Sequence, residues 1–247
     1  MRVAAIYDIH GNLPALEAVL EEIGRVRVDR IVFGGDVVPG PLPRETIGRL
    51  LSANVPIDFI HGNGELAVLQ QLRGEVPSMM PERVRPMIEW TAHKLSPEHR
   101  QLFENWPRTV QIELPPLGKV LFCHATPRNE LEIFTALTPE EHLKPIFGAI
   151  DAAVVVCGHT HMQFDRMVGN VRVINAGSVG MPFGGTGAYW LMLGPDVQFR
   201  RTQYDLEEAA ARVRASDYPQ AEQFAANHIL NPPSKEQMLA AFSKVEV

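Results

Sequence analysis

The chain predicts an α/β fold in which parallel strands with helical crossovers are followed by antiparallel strands. Three observations carry this. A short apolar run, a loop and a helical pattern follow one another three times from the amino terminus. Polar residues able to ligate metals stand just after those apolar runs, where open α/β sheets bind their ligands. Four later β-type runs are separated by turns, several of them containing glycine.

Taken in order, Val3–Tyr7 is short and β-rich, and Leu13, Leu16, Val19, Leu20 and Ile23 then recur at helical spacing up to Gly24. Arg30–Phe33 predicts a second buried strand closed by Gly34-Gly35-Asp36, and Arg44–Ala53 a helix. Ile57–Ile60 predicts a third strand closed by Gly62-Asn63. From Glu65 to about Trp106 the pattern is helical and broken by Pro77, Pro81 and Pro86, which reads as a helical insert or cap. Val110–Leu114 and Lys119–Cys123 predict a hairpin, Pro139–Ile150 a helix and Ala152–Cys157 a strand. Gln163–Val168, Val171–Ile174, Ala188–Leu193 and Val197–Tyr204 predict antiparallel strands. Residues 205–247 give three amphipathic helical pieces broken by Pro219 and Pro232-Pro233. The expected organisation is a core over residues 1–204, including the insert at about 65–106, with residues 205–247 a helical extension packed on the same domain.

The composition, 45% hydrophobic and 21% charged, suits a globular protein with a full core. A net charge of −6 gives no general attraction to nucleic acid or anionic membrane. No apolar stretch approaches the roughly 18 residues of a membrane helix, and Asp8 interrupts the first apolar run too early for a signal peptide. Cys123 and Cys157 are the only cysteines and imply no disulfide framework. These features together predict a cytoplasmic protein, with both thiols small, buried and reduced.

The chemistry is concentrated in a few polar residues. Asp8-Ile9-His10 follows the first apolar run, and Gly158-His159-Thr160-His161 follows Val154–Cys157. Two residues at i,i+2 in an extended segment point to one side. With Asp36, Asn63 and His124 these make seven nitrogen and oxygen donors and no thiolate. Such a set suits Mn, Fe, Ni or Zn better than Ca. Seven ligands exceed the needs of one ion, so two divalent transition-metal ions sharing a carboxylate are expected at roughly 3.5–4 Å separation. Asp36 is the expected bridge. Water between two such cations loses its proton near neutral pH and becomes a nucleophile, and a phosphate ester is the natural substrate because the cations offset charge on its oxygens.

Asp8-Ile9-His10, Gly35-Asp36, Gly62-Asn63, His124 and Gly158-His159-Thr160-His161 together resemble the calcineurin-like metallophosphoesterases, most closely the small bacterial and archaeal predicted phosphodiesterases of that superfamily. The resemblance covers about residues 1–200. It implies a β-sandwich of two mixed sheets flanked by helices. It also implies one metal held by Asp8, His10 and His161, a second by Asn63, His124 and His159, with Asp36 shared. Asn175-Ala176-Gly177-Ser178-Val179-Gly180 resembles a structural segment of the family whose small residues let backbone pass close to the site.

One position departs from the family pattern. Where the family usually carries Gly-Asn-His followed by an acid, this chain has Gly62-Asn63-Gly64-Glu65. The missing histidine is credited in the family with donating a proton or binding the phosphate, and loss of a general acid costs about 10²–10⁴ in rate. The expectation is a hydrolase that prefers good leaving groups, rescued on poor ones by Gly64→His. No side-chain acid is assigned. His61 and His93 are weak candidates for one, Arg128 a candidate phosphate clamp against a surface ion pair, and Asn12 a candidate for orienting a ligand. Glu65 reads as a helix-start carboxylate; His99, His142 and His228 receive no role. The leading function is a phosphodiesterase acting on a small phosphate ester. The alternatives are a dinucleoside polyphosphate hydrolase or protein phosphatase of the same superfamily, and a non-catalytic metal-binding scaffold.

Overall fold

The computed structural model describes residues 1–75, 82–245 and 247. Two five-stranded mixed sheets lie face to face between two layers of helices. The first sheet has the order β10-β9-β1-β2-β3, from β1 (Val3–Ile6), β2 (Arg30–Phe33), β3 (Ile57–Phe59), β9 (Ala188–Leu193) and β10 (Val197–Thr202). Strands β1, β2 and β3 run parallel, and β9 closes on β1 antiparallel, Val3 facing Leu193. The second sheet has the order β4-β5-β6-β8-β7, from β4 (Thr109–Leu114), β5 (Gly118–Cys123), β6 (Val154–Cys157), β7 (Phe164–Val168) and β8 (Val171–Asn175).

Strand alternation sorts the core. Val3, Ala5 and Tyr7 face the second sheet and meet Phe122, Val154 and Val156. Ala4 and Ile6 face outward and pack under α1 (Leu13–Val26) and α2 (Pro43–Leu51), against Leu16, Val19, Ile23 and Ile47. On the far face of the second sheet, Val155, Cys157 and Val173 pack on Leu143, Ile146 and Phe147 of α6 (Glu140–Phe147). Both cysteines are buried and free there, and burial pushes their thiols up. No helix among the described residues is long and apolar enough to cross a membrane.

The expected antiparallel run after residue 163 divides between the sheets. β7 and β8 pair antiparallel, but β8 also inserts parallel to β6, while β9 and β10 extend the other sheet. Helix α1 continues through Gly24 to Val26 and stops where Arg27 turns left-handed at φ 56°. The insert forms α3 (Asn63–Leu72), α4 (Arg85–Lys94) and α5 (Pro97–Asn105), with Pro86 in the first turn of α4. Pro77 and Pro81, expected to break the insert, lie outside the described residues.

The tail folds as α7 (Leu206–Arg214), α8 (Ala221–Phe224), a π-helical turn (Ala225–Leu230) and α9 (Lys235–Phe242). Ala209, Val213, Tyr218, Phe224 and Ile229 form its core, and Met87, Trp90 and Met181 pack against them. Trp90 meets Tyr218 edge-on at 5.1 Å, Arg212 pairs with Glu17 at 2.7 Å, and Lys94 pairs with Asp217.

Candidate metal centre

Segments at the carboxyl ends of β1, β2, β3, β5 and β6 bring the predicted donors together. Six non-glycine residues have positive φ among the described residues. Five are Asp8 (53°), His10 (48°), Asp36 (59°), His159 (65°) and His161 (57°); the sixth is the helix end Arg27. Left-handed backbone at non-glycine residues costs about 1–3 kcal/mol each and clusters at functional sites. Here it folds each loop back on itself, so that neighbouring side chains turn to one point.

At that point Asp8 Oδ1 lies 3.4 Å from His161 Nε2, 3.9 Å from His124 Nε2 and 4.0 Å from His10 Nε2. Asp36 turns its two oxygens to different histidines, Oδ2 to His10 and Oδ1 to His124, each at 3.6 Å from Nε2. Two groups with metal-holding geometry result, Asp8–His10–His161 and Asp8–Asp36–His124. Asn63 Oδ1 lies 2.9 Å from His124 Nε2. The His159 ring stands 5.1 Å from that of His124, and its backbone N–H donates to Asp8 Oδ2 at 3.0 Å.

Backbone carbonyls orient the rings. Nδ1 of His10 bonds Pro39 O at 3.2 Å, that of His124 bonds Gly34 O at 2.9 Å, and that of His161 bonds Met181 O at 2.7 Å. A carbonyl only accepts, so each Nδ1 carries a proton, and Nε2 is the ring nitrogen turned to the centre. The Asn175–Gly180 segment ties the loops together. Asn175 Nδ2 donates to Gly158 O and Thr160 Oγ1, while Ser178 Oγ and Gly180 N both donate to Asp8 O.

The electrostatics call for a cation. Asp8 Oδ1 is buried with no hydrogen-bond donor, and the Nε2 atoms of His10 and His161 face each other at 3.4 Å. Burial and the charge of Asp8 hold the Asp36 carboxyl well above the usual carboxylate range. Burial opposes ionisation of Asp8 too, but His161, His124 and His10 together hold it well below that range. Burial, then His161, pushes His10 down to about 3; burial, then His124, does the same to His159. Burial opposes the charge on His161, yet Asp8 raises it. Imidazole nitrogens around two close carboxylates are the donor set of a transition-metal site, and the residues fit such ions.

Glu65 does more than start a helix. Fully buried at the beginning of α3, it accepts from Gly62 N (2.7 Å), Asp36 N and Val37 N (both 2.8 Å) and Val38 N (3.3 Å). It therefore ties the loop holding Asp36 to the loop holding Asn63. Burial, then Asp36, raises it to about 7. The only signal in the sequence is its place three residues after Gly62, in the first turn of α3.

Gly64 corrects an expectation. Its N–H donates to Asp36 Oδ1 at 2.7 Å, and a Cβ there would press into the Val38 carbonyl oxygen and stand 3.0 Å from Asp36 Oδ1. A side chain there forces the Val38 carbonyl or the start of α3 to shift, so Gly64→His does not simply restore a proton donor.

The weaker candidates fall outside the cluster. His61 stands 3.6 Å from Glu130, which also pairs with Arg108. His93 is exposed on α4, its Nδ1 2.7 Å from Glu89 O. Arg128 is exposed and paired with Glu132. Asn12 is the buried cap of α1, accepting from Ala15 N and donating to Gly180 O, so it reaches the centre through the Asn175–Gly180 segment. His228, given no role from sequence, lines the cavity that opens from His10, Asp36 and Asn63. Its Nδ1 is buried without a hydrogen-bond partner, and burial, then His161, pushes it down to about 4.

Residues 1–194 match the model of the calcineurin-like phosphoesterase superfamily domain. An uncharacterised protein of Methanocaldococcus jannaschii is 26% identical over 238 residues, spanning 88% of this chain and 94% of its own length. The Escherichia coli phosphodiesterase YfcE is 26% identical over 208 residues, spanning 80% of this chain and 89% of its own. A metallophosphoesterase structure from Sphaerobacter thermophilus aligns with a TM-score of 0.71 at 28% identity, over 93% of this chain and 100% of that one. A hypothetical protein from Pyrococcus horikoshii aligns with a TM-score of 0.78 at 20% identity, over 94% and 99%, a likeness of fold alone.

Proposed function

Because the chain belongs to the calcineurin-like phosphoesterase superfamily, and is thereby a hydrolase of phosphate esters, we propose that it is a dinuclear metal-dependent phosphodiesterase. Asp8, His10 and His161 would hold one divalent ion, Asn63, His124 and His159 the other, and Asp36 both. When bound, the two ions would supply Lewis-acid stabilisation of the phosphoryl oxygens and acidify water. The observation that carries the reading is the left-handed backbone at five of these seven residues, strain of the kind that clusters at functional sites.

The chain's own residues prepare the site. The carbonyls of Pro39, Gly34 and Met181 fix the protonated face of each ring, leaving Nε2 free as a donor atom. Glu65 and the Gly64 N–H hold Asp36 so that its oxygens face opposite ways. Enclosure of Asp8, Asp36 and His124, each at most 2% exposed, excludes bulk water and strengthens every charge interaction there. With Gly64 offering no side chain, the site favours esters whose leaving groups need no proton. Arg83 is the sole Lys or Arg lining the cavity among the described residues, which disfavours the polyphosphate alternative.

We further take residues 1–204 as the core and 205–247 as an extension of the same domain, on the packing of Met87 and Trp90 against Tyr218 and Phe224. Manganese and a cytoplasmic setting belong to the same proposal. A screen of Mn, Fe, Ni and Zn against aryl diesters, aryl monoesters, cyclic nucleotides and dinucleoside polyphosphates tests it. Aryl diesters should turn over fastest. No turnover of any diester by metal-loaded protein would refute it.

A further inference from the structure

We propose that the cavity beside the metal centre selects phosphate esters carrying a bulky apolar organic group, and that the carboxyl-terminal tail builds one wall of it. The inference rests on the phosphoesterase reading above. The cavity measures about 970 Å³ and begins at His10, Asp36 and Asn63. That volume lies at the upper end of sites for small organic ligands and far exceeds what a phosphate fills.

Its walls come from three places: Met87 and Ile88 on α4, Met181 and Phe183 after the Asn175–Gly180 segment, and Phe224 and Met238 from the tail. Phe183 stacks on His161 at 5.0 Å and 21°, then meets Phe242 of α9 at 6.3 Å. The apolar surface is therefore continuous with a predicted metal ligand. Three methionines make a wall that adapts to irregular apolar shapes. Among the described residues, the polar lining from the tail carries no Lys, Arg, Asp or Glu: Gln220 and Gln223, then Asn227 and His228 on the π-helical turn, and such turns recur at functional sites. With Arg83 the sole cationic side chain of the described lining, a second phosphate would find no clamp. An uncharged, largely apolar group finds a matching surface.

The test is a series of p-nitrophenyl alkyl phosphate diesters with methyl, butyl and octyl groups, so that the leaving group never changes. In parallel, binding of methyl-, butyl- and octylphosphonate to Mn-loaded protein is measured by calorimetry. Both kcat/KM and affinity should rise about two- to fourfold per methylene as the chain enters the cavity. Met87→Trp and Met238→Trp should flatten that slope; the slope is a ratio within each variant, so any general loss of folded protein cancels. Flat slopes in wild type, or a thymidine p-nitrophenyl phosphate diester outpacing the octyl ester, overturn the apolar selection while leaving the phosphoesterase reading intact. A rising slope in phosphonate binding without turnover of any diester keeps the cavity assignment and overturns the phosphodiesterase one.

Discussion

Replacing Gly64 by alanine adds one carbon at the tightest backbone contact of the site. The new Cβ presses into the Val38 carbonyl oxygen and reaches 3.0 Å from Asp36 Oδ1. Either the loop from Asp36 to Pro39 moves or the start of α3 does. Movement of the loop shifts Pro39 O, which orients His10; movement of α3 breaks the 2.7 Å bond from Gly64 N to Asp36 and displaces Asn63. Overpacking costs about 1–3 kcal/mol and a hydrogen bond to a charged group about 1.5–3 kcal/mol. The two overlap, so a loss of about 2–4 kcal/mol is expected, or about 5–15 °C in Tm for a chain of this size. A displacement near 1 Å at a reacting centre costs about 10²-fold in rate. Melting curves and kcat/KM on bis(p-nitrophenyl) phosphate measure both effects. Gly24→Ala is the control: its Cβ meets nothing within 4 Å inside α1, so it should stabilise by about 0.4–1 kcal/mol. Wild-type stability and rate in Gly64→Ala, or a faster enzyme in Gly64→His, would refute the reasoning.

Other outcomes follow from the same contacts. Glu65→Gln replaces a carboxylate that accepts four backbone N–H groups, so metal affinity should fall about 10–100-fold, read by titration with Mn²⁺; unchanged affinity would mean that Glu65 does not organise the ligands. Asn175→Ala frees the loop carrying His159 and His161 from its bonds at Gly158 and Thr160, and should lower kcat/KM by at least tenfold, which steady-state kinetics will show. Arg128→Ala and His93→Ala remove exposed side chains whose partners are Glu132 and the Glu89 carbonyl; both should leave kcat/KM within about twofold, and a larger loss in either would return that residue to the site.

The ligand motifs are legible in sequence because each sits at the end of an apolar strand run, where chain order and spacing suffice. Asp8 and His10, or His159 and His161, announce themselves within three residues. Their left-handed backbone does not, since nothing in the residue types demands φ near +55°; tertiary hydrogen bonds such as Asp8 N to Gly35 O impose it. The repeated strand, loop and helix likewise predict the parallel half of the first sheet. The antiparallel closure of β9 on β1 joins Val3 to Leu193 and leaves no local trace. Gly64 reads in sequence as a lost histidine, and only the nearby Val38 carbonyl explains the glycine. Glu65 reads as a cap because its other partners lie 27 to 29 residues away. Phe224, His228 and Met238 reach the cavity across more than 150 residues from Asn63, with no spacing to betray them.

Anomalous diffraction from crystals loaded with Mn²⁺ tests the central claim most directly. Two manganese peaks are predicted, one against Asp8, His10 and His161 and one against Asn63, His124 and His159, with Asp36 touching both. A single peak, or none at saturating Mn²⁺ with these side chains ordered, would contradict the dinuclear account.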